Sequence, residues 1–115
     1  MINDDTIQKY LPLSESTYYI MLVLVKPIHG YGIMQKVEAL TNGEVSLGPG
    51  TLYGAFSTLE SEGLIEMIRE EDRRKYYALT EKGRETLRAQ LIRLKIMTQS
   101  ARQIMIESRD SLLAM

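Results

Sequence analysis

"GPGTLYGAFSTLESEGLI", residues 48–65, decides how this chain folds. Gly48 stands at an N-cap position and Pro49 at the first helical position, where a missing N–H costs nothing. Leu52, Ala55, Phe56 and Leu59 then recur three and four apart, the apolar stripe of a helix that Gly63 closes before Leu64 and Ile65. A glycine-rich turn that opens a helix also raises phosphate binding, but the nucleotide loops do not fit. A P-loop needs GxxxxGK[ST], and no lysine follows Gly50. The dinucleotide fingerprint needs a third glycine at position 53, which is Tyr53. The N–H groups of this helix start suit a DNA phosphate, with a plain helix start as the bland alternative.

Upstream, Ser14 or Ser16 can cap a helix through Tyr18, Met21, Leu22 and Val25 that Pro27 stops at Lys26. After "HGYG" (29–32), Ile33, Met34, Val37 and Leu40 recur at helical spacing until Asn42-Gly43 turns the chain. Downstream, "LIEMIREEDRRKYYAL" (64–79) reads as two strands. Ile65, Met67 and Arg69 alternate imperfectly with Glu66, Ile68 and Glu70, and the charged stretch from Glu70 to Arg74 is the expected hairpin tip. Thr80 caps a last helix, to about Ser108, in which Leu87, Leu91, Leu94, Met97, Ala101, Ile104 and Met105 follow three-four spacing. Such a helix is roughly 42 Å long at 1.5 Å per residue. It cannot bury its stripe within so small a domain, so a second copy is the expected partner.

Three helices followed by a hairpin is the order of a winged helix-turn-helix. The expected fold is mainly α with a small β-hairpin: a winged helix-turn-helix over residues 1–80, then a dimerisation helix and tail over 81–115. The 115 residues, 44% apolar and 25% charged, suit one globular domain. With no cysteine and one histidine, neither a thiolate nor a multi-histidine metal site can be built, and no nucleophile–base set can be assembled. No catalytic residue, metal or cofactor is expected. The longest apolar run, Tyr18 to Val25, is far short of the roughly 20 residues that cross a bilayer, so the chain reads as cytoplasmic with no membrane partner. A net charge of −1 hides an asymmetry: residues 1–68 carry three basic and eight acidic side chains, residues 69–109 eleven basic and six acidic.

Three blocks, "HGYGIMQKV" (29–37), "GPGTLYGAFSTLESEGLI" (48–65) and "RRKYYALTEKG" (73–83), resemble in order and spacing the signature blocks of the PadR family of bacterial transcriptional regulators. The tail resembles the short-chain branch, in which one C-terminal helix dimerises. The resemblance implies a homodimeric DNA-binding repressor, relieved in some members by a small aromatic or drug-like effector between the DNA-binding domain and the last helix. Some short members gate that pocket with a tryptophan, and this sequence has none.

Double-stranded DNA with an inverted-repeat operator is thus the expected partner, with a second copy of the chain and a small-molecule effector beside it. Gly50, Thr51, Tyr53, Gly54 and Ser57 on the third helix and Arg73, Arg74 and Lys75 on the wing are the expected DNA contacts, with Tyr31 and Lys36 as further phosphate donors. No Lys or Arg lies between residues 37 and 68, so base reading would rest on hydroxyl and methyl contacts. His29 reads first as a hydrogen-bonded structural residue, with a pH sensor or ligand contact as the alternative. An effector pocket would draw on Tyr18, Met21 and Met97, although core filling is the ordinary role of methionine. The rival reading is a winged-helix protein–protein module with no DNA partner, which gains if Glu70, Glu71 and Asp72 quench the wing.

Overall fold

The computed structural model describes residues 4–109. Its elements run α1 (Asp4–Gln8), α2 (Glu15–Val23), β1 (Ile28–His29), α3 (Gly30–Leu40), α4 (Pro49–Ser61), β2 (Ile65–Glu71), β3 (Arg74–Leu79) and α5 (Glu81–Glu107). Residues from Asp110 onward, the end of the expected tail, lie outside the described part.

Caps and breakers set the boundaries. The Ser14 side chain accepts the Thr17 N–H and opens α2, which ends at Val23, three residues before the stop expected from Pro27. Asn42 and Gly43 take positive φ after α3. Gly48 is the N-cap of α4 with Pro49 at its first position, and Gly63 turns left-handed beyond its end. The Thr80 hydroxyl accepts the Gly83 N–H at 3.0 Å to open α5.

Two elements have no counterpart in the sequence reading. α1 is five residues long, too short to show a helical period, and it packs its buried Ile7 in the direction of α5. β1 is two residues long and makes the hairpin a three-stranded antiparallel sheet of order β1-β3-β2. Ile28 pairs with Tyr77 and His29 with Tyr76. The hairpin tip is also tighter than expected. Glu70 and Glu71 pair with Lys75 and Arg74, which leaves Asp72 and Arg73 alone as the turn, both at positive φ. The imperfect alternation has its cause in a register shift: Met67 faces Tyr77 and Arg69 faces Tyr76, so Ile68 is the extra residue of a bulge.

The core gathers Ile20, Met21 and Leu24 of the α2 region, Ile33 and Val37 of α3, Leu52, Phe56 and Leu59 of α4, and Leu64, Ile65 and Leu79 at the base of the hairpin. Leu87 belongs to it as well, 5% exposed, which corrects its placement on the dimerisation stripe. The first turns of α5 are therefore a wall of the winged helix: Thr86 is fully buried, and the Gln90 side-chain oxygen accepts the Leu13 N–H at 2.9 Å. Beyond Gln90 the helix projects. The radius of gyration is 16.4 Å, against about 13 Å for a compact chain of this size.

Where α5 crosses the base of the hairpin, Gly83 is packed so closely that a Cβ would lie 2.0 Å from the Leu64 carbonyl oxygen. That oxygen also accepts the Thr80 N–H at 3.1 Å, so it has nowhere to retreat. Gly83→Ala should cost about 2 kcal/mol net of the better helix propensity of alanine, a fall of roughly 8 °C in the melting temperature. Thermal denaturation followed by circular dichroism checks this, and an unchanged midpoint would contradict the packing.

Candidate nucleic-acid interface

α4 buries Leu52, Phe56 and Leu59 and turns Gly50, Thr51, Tyr53, Gly54 and Ser57 outward, all exposed. Tyr53 is 55% exposed, its ring edge-on to Phe56 at 5.9 Å and its hydroxyl close to Gly30, where a Cβ would come within 2.9 Å of it. The glycine at position 30 thus lets the third helix of the winged fold lean on the first turn of α3.

A cavity of about 350 Å³ separates α4 from the wing. Of the residues expected to touch DNA, it brings together Tyr31, Tyr53, Arg73, Arg74 and Lys75, with His29, Phe56 and Tyr77 behind them. Burial, then Glu60 and Tyr53, push the Tyr77 hydroxyl up from its ordinary value, so it remains a neutral donor. Lys36 is exposed on α3, outside this cavity. Gly54 faces another groove, of about 340 Å³, between α4 and the segment Tyr10–Thr17.

The wing keeps its positive charge. Glu71 accepts from Arg69 at 3.1 Å, and the Arg69 guanidinium lies 4.3 Å from the centre of the Tyr76 ring. Among the described residues, Arg73, Arg74 and Lys75 make no ion pair within 4.0 Å. Arg73 sits at φ +65° in the two-residue turn, a position that favours glycine. The wing tolerates that strain and carries a cation there.

The residues expected around an effector do not form one site within the single chain. Met21 is fully buried in the core and offers no surface to a ligand, whereas Met97 is 62% exposed on the projecting part of α5. Tyr18 is half-buried, edge-on to Tyr19, and burial followed by Tyr19 raises its hydroxyl from the usual value. On α5, Leu91, Met97, Ala101 and Ile104 are exposed, while Leu94 and Met105 are half-buried. Ile92, Ile96 and Ile106 extend the apolar surface beyond the three-four stripe.

His29, expected first as a structural residue, lines the cavity between α4 and the wing. Its Nδ1 accepts the Gly32 N–H at 3.1 Å and caps α3, and its Nε2 lies 3.2 Å from an Arg74 guanidinium nitrogen. Its ring also stands edge-on to Tyr76 at 5.3 Å. No local signal in the sequence links His29 to the wing; the sheet pairing of His29 with Tyr76 is what brings it beside Arg74.

These elements define a winged helix-turn-helix protein with an extended C-terminal helix. Residues 20–89 match the transcriptional regulator PadR-like family, and the chain belongs to it. It is 31% identical over 91 residues to the uncharacterized protein X of Lysinibacillus sphaericus, covering 76% of this chain and 80% of that one. It is 37% identical over 59 residues to the transcriptional regulator YqjI of Escherichia coli; the match covers 51% of this chain but only 28% of YqjI. The structure of a PadR-like transcription factor of Bacteroides fragilis superposes with a TM-score of 0.65 at 28% identity, over 89% of this chain and 99% of that one. No helix among the described residues is long and apolar enough to cross a membrane.

Burial and then the neighbouring Arg74 hold the His29 imidazole below its ordinary value of 6.5. A lowered folded value means that the unfolded chain takes the proton first. The stability tied to the neutral cap is complete above about 6.5 and is lost as pH falls through the folded value. Protonation turns Nδ1 from acceptor to donor and breaks the bond to Gly32. NMR titration of the single histidine should give a midpoint below 6.5, with the melting temperature falling as pH drops from 7 to 5.5. A midpoint above 6.5 would contradict the environment described.

Proposed function

We propose that this chain is a homodimeric DNA-binding transcriptional repressor. Each protomer would place the N-terminal part of α4 in the major groove, with Gly50, Thr51, Tyr53, Gly54 and Ser57 toward base edges and phosphates. Arg73, Arg74 and Lys75 would grip the adjacent backbone, with Tyr31 and Lys36 as further donors. The observation that carries this reading is the convergence of three wing cations, without ion pairs among the described residues, on the exposed tyrosines of α3 and α4. A wing quenched by Glu70, Glu71 and Asp72 would have favoured the protein–protein module; Glu71 instead pairs with Arg69.

Gly54 adds support. A glycine inside a helix costs about 1 kcal/mol relative to alanine, and nothing lies within 4 Å of where its Cβ would stand. The fold does not require it. A glycine there would let a partner approach the helix backbone closely.

The dimer rests on the projecting half of α5. Leu91, Leu94, Met97, Ala101, Ile104 and Met105 would pack against a second copy, which sets two α4 helices about 34 Å apart on an inverted repeat. Relief by a small effector follows from the family resemblance; an effector touching Tyr18 and Met97 would lie against α5 and bias the spacing of the two α4 helices. Action on chromosomal DNA would place the protein in the cytoplasm.

Fluorescence anisotropy with a duplex from upstream of the chain's own gene, beside a scrambled duplex, tests the reading. Specific binding should weaken steeply with salt, the slope counting phosphate contacts. Equal weak binding to DNA selected from a random pool and to the scrambled duplex would favour the protein–protein module. Gly54→Ala should stabilise the fold by about 0.5–1 kcal/mol while weakening specific binding. Unchanged affinity in that variant would remove α4 from the groove.

Sedimentation should show a dimer for the full chain and a monomer for the Met97→Glu, Ile104→Glu double variant. A dimer in both would remove the arm from the interface. Point changes are the better test, because truncation near Gly83 would strip Thr86, Leu87 and Gln90 from the core.

A further inference from the structure

We propose that His29 and Arg74 form a two-donor seat for one DNA backbone phosphate at the mouth of the cavity between α3, α4 and the wing, an assignment that rests on the DNA-binding reading above. A neutral imidazole has one N–H donor and one acceptor, but here both ring nitrogens face donors: the Gly32 backbone N–H at Nδ1 and an Arg74 guanidinium nitrogen at Nε2. They cannot both be satisfied.

Rigidity decides between them. The Gly32 N–H belongs to the first turn of α3, is partly buried and cannot turn away, and it needs an acceptor because it lacks a helical partner. The ring is held over it. A Cβ on Gly32 would come within 3.3 Å of the imidazole Cε1, and Tyr76 stands edge-on behind. Arg74 is exposed and has four bonds along which to swing. Nδ1 is therefore the acceptor, and the proton sits on Nε2.

The consequence is a pair of donors, Nε2–H and a guanidinium N–H, brought to within 3.2 Å of each other. An anionic oxygen bound at the rim would accept from both. Arg73 and Lys75 line the same cavity and supply the field for a negative group, and the exposed phenols of Tyr31 and Tyr53 supply further donors. The cavity opens beside the exposed face of α4, which is where a duplex backbone runs if that helix enters the groove. One side chain then caps α3 with one nitrogen and holds DNA with the other, so contact with the backbone fixes the helix that supports α4.

Because the chain has one histidine, ¹⁵N ring correlations report its tautomer without ambiguity. The free protein at pH 7.5 should carry the proton on Nε2, and the Nε2 resonance should shift when a duplex binds while Nδ1 stays an acceptor. His29→Asn preserves a capping side chain but cannot reach the rim. It should keep the melting temperature close to that of the parent chain and weaken duplex binding roughly tenfold, with the salt slope unchanged. Arg74→Gln should weaken binding and lower that slope by about 1. The double variant should lose less than the two single losses combined, since both donors serve one phosphate.

A free protein with the proton on Nδ1, or independent losses in the double variant, would overturn the shared seat. Duplex binding unaffected by His29→Asn but weakened by Arg74→Gln would overturn it too, while leaving the DNA-binding reading intact. A parent chain that binds no selected duplex would overturn both.

Discussion

The Leu64 carbonyl is the point where the end of α4, the base of the wing and the start of α5 meet. It accepts the Thr80 N–H, and α5 passes over it at Gly83, where a side chain has no room. The Thr80 hydroxyl closes the knot by donating to the Gly63 carbonyl at 2.6 Å and accepting the Gly83 N–H. The end of α4, the base of the wing and the start of the arm therefore meet in one short stretch of backbone. Hydrogen bonds between backbone groups vary little in length, so the three elements leave this junction in fixed directions. If α4 reads DNA and the arm sets dimer spacing, the distance between two reading helices is determined here, far from any base.

A second constraint works at the other end of the wing. The bulge at Ile68 reverses the side on which the following residues of β2 stand, which brings Arg69 over Tyr76. Tyr76 in turn backs the His29 ring. Arg69 thereby engages Glu71, one of the three acids near the wing tip. The stack costs little, since both charged groups remain exposed, and its contribution to stability is correspondingly small. Its effect is on which charges remain available.

What was legible in the sequence was whatever follows from local chemistry. Gly48-Pro49, Gly63, Asn42-Gly43 and Thr80 act on their own neighbours, so the boundaries of α3, α4 and α5 could be read directly. The charged turn between two strands could be read for the same reason. What escaped depends on residues distant in the chain. β1 is a strand only because β3 lies beside it, and the role of Gly83 depends on a carbonyl nineteen positions away. Leu87 has the same spacing as Leu91 and Met97, so periodicity alone could not show that the first belongs to the core and the others to the arm. The site divides in the same way. Tyr53, Arg73, Arg74 and Lys75 could be named from residue type, whereas the second nitrogen of His29 needed the register of the sheet.

Three of the places where this chain departs from local rules lie on its surface. Gly54 weakens a helix with no steric reason to be glycine, Arg73 holds a left-handed turn that glycine would fill without strain, and the apolar face of α5 stands in water beyond Gln90. Each would be improved for the isolated fold by a simple substitution, to Ala, Gly or a charged residue respectively. The interior shows no such compromise: among the described residues, no buried side-chain nitrogen or oxygen lacks a hydrogen-bond partner. The three surface departures lie on faces that the proposed DNA-bound dimer would cover.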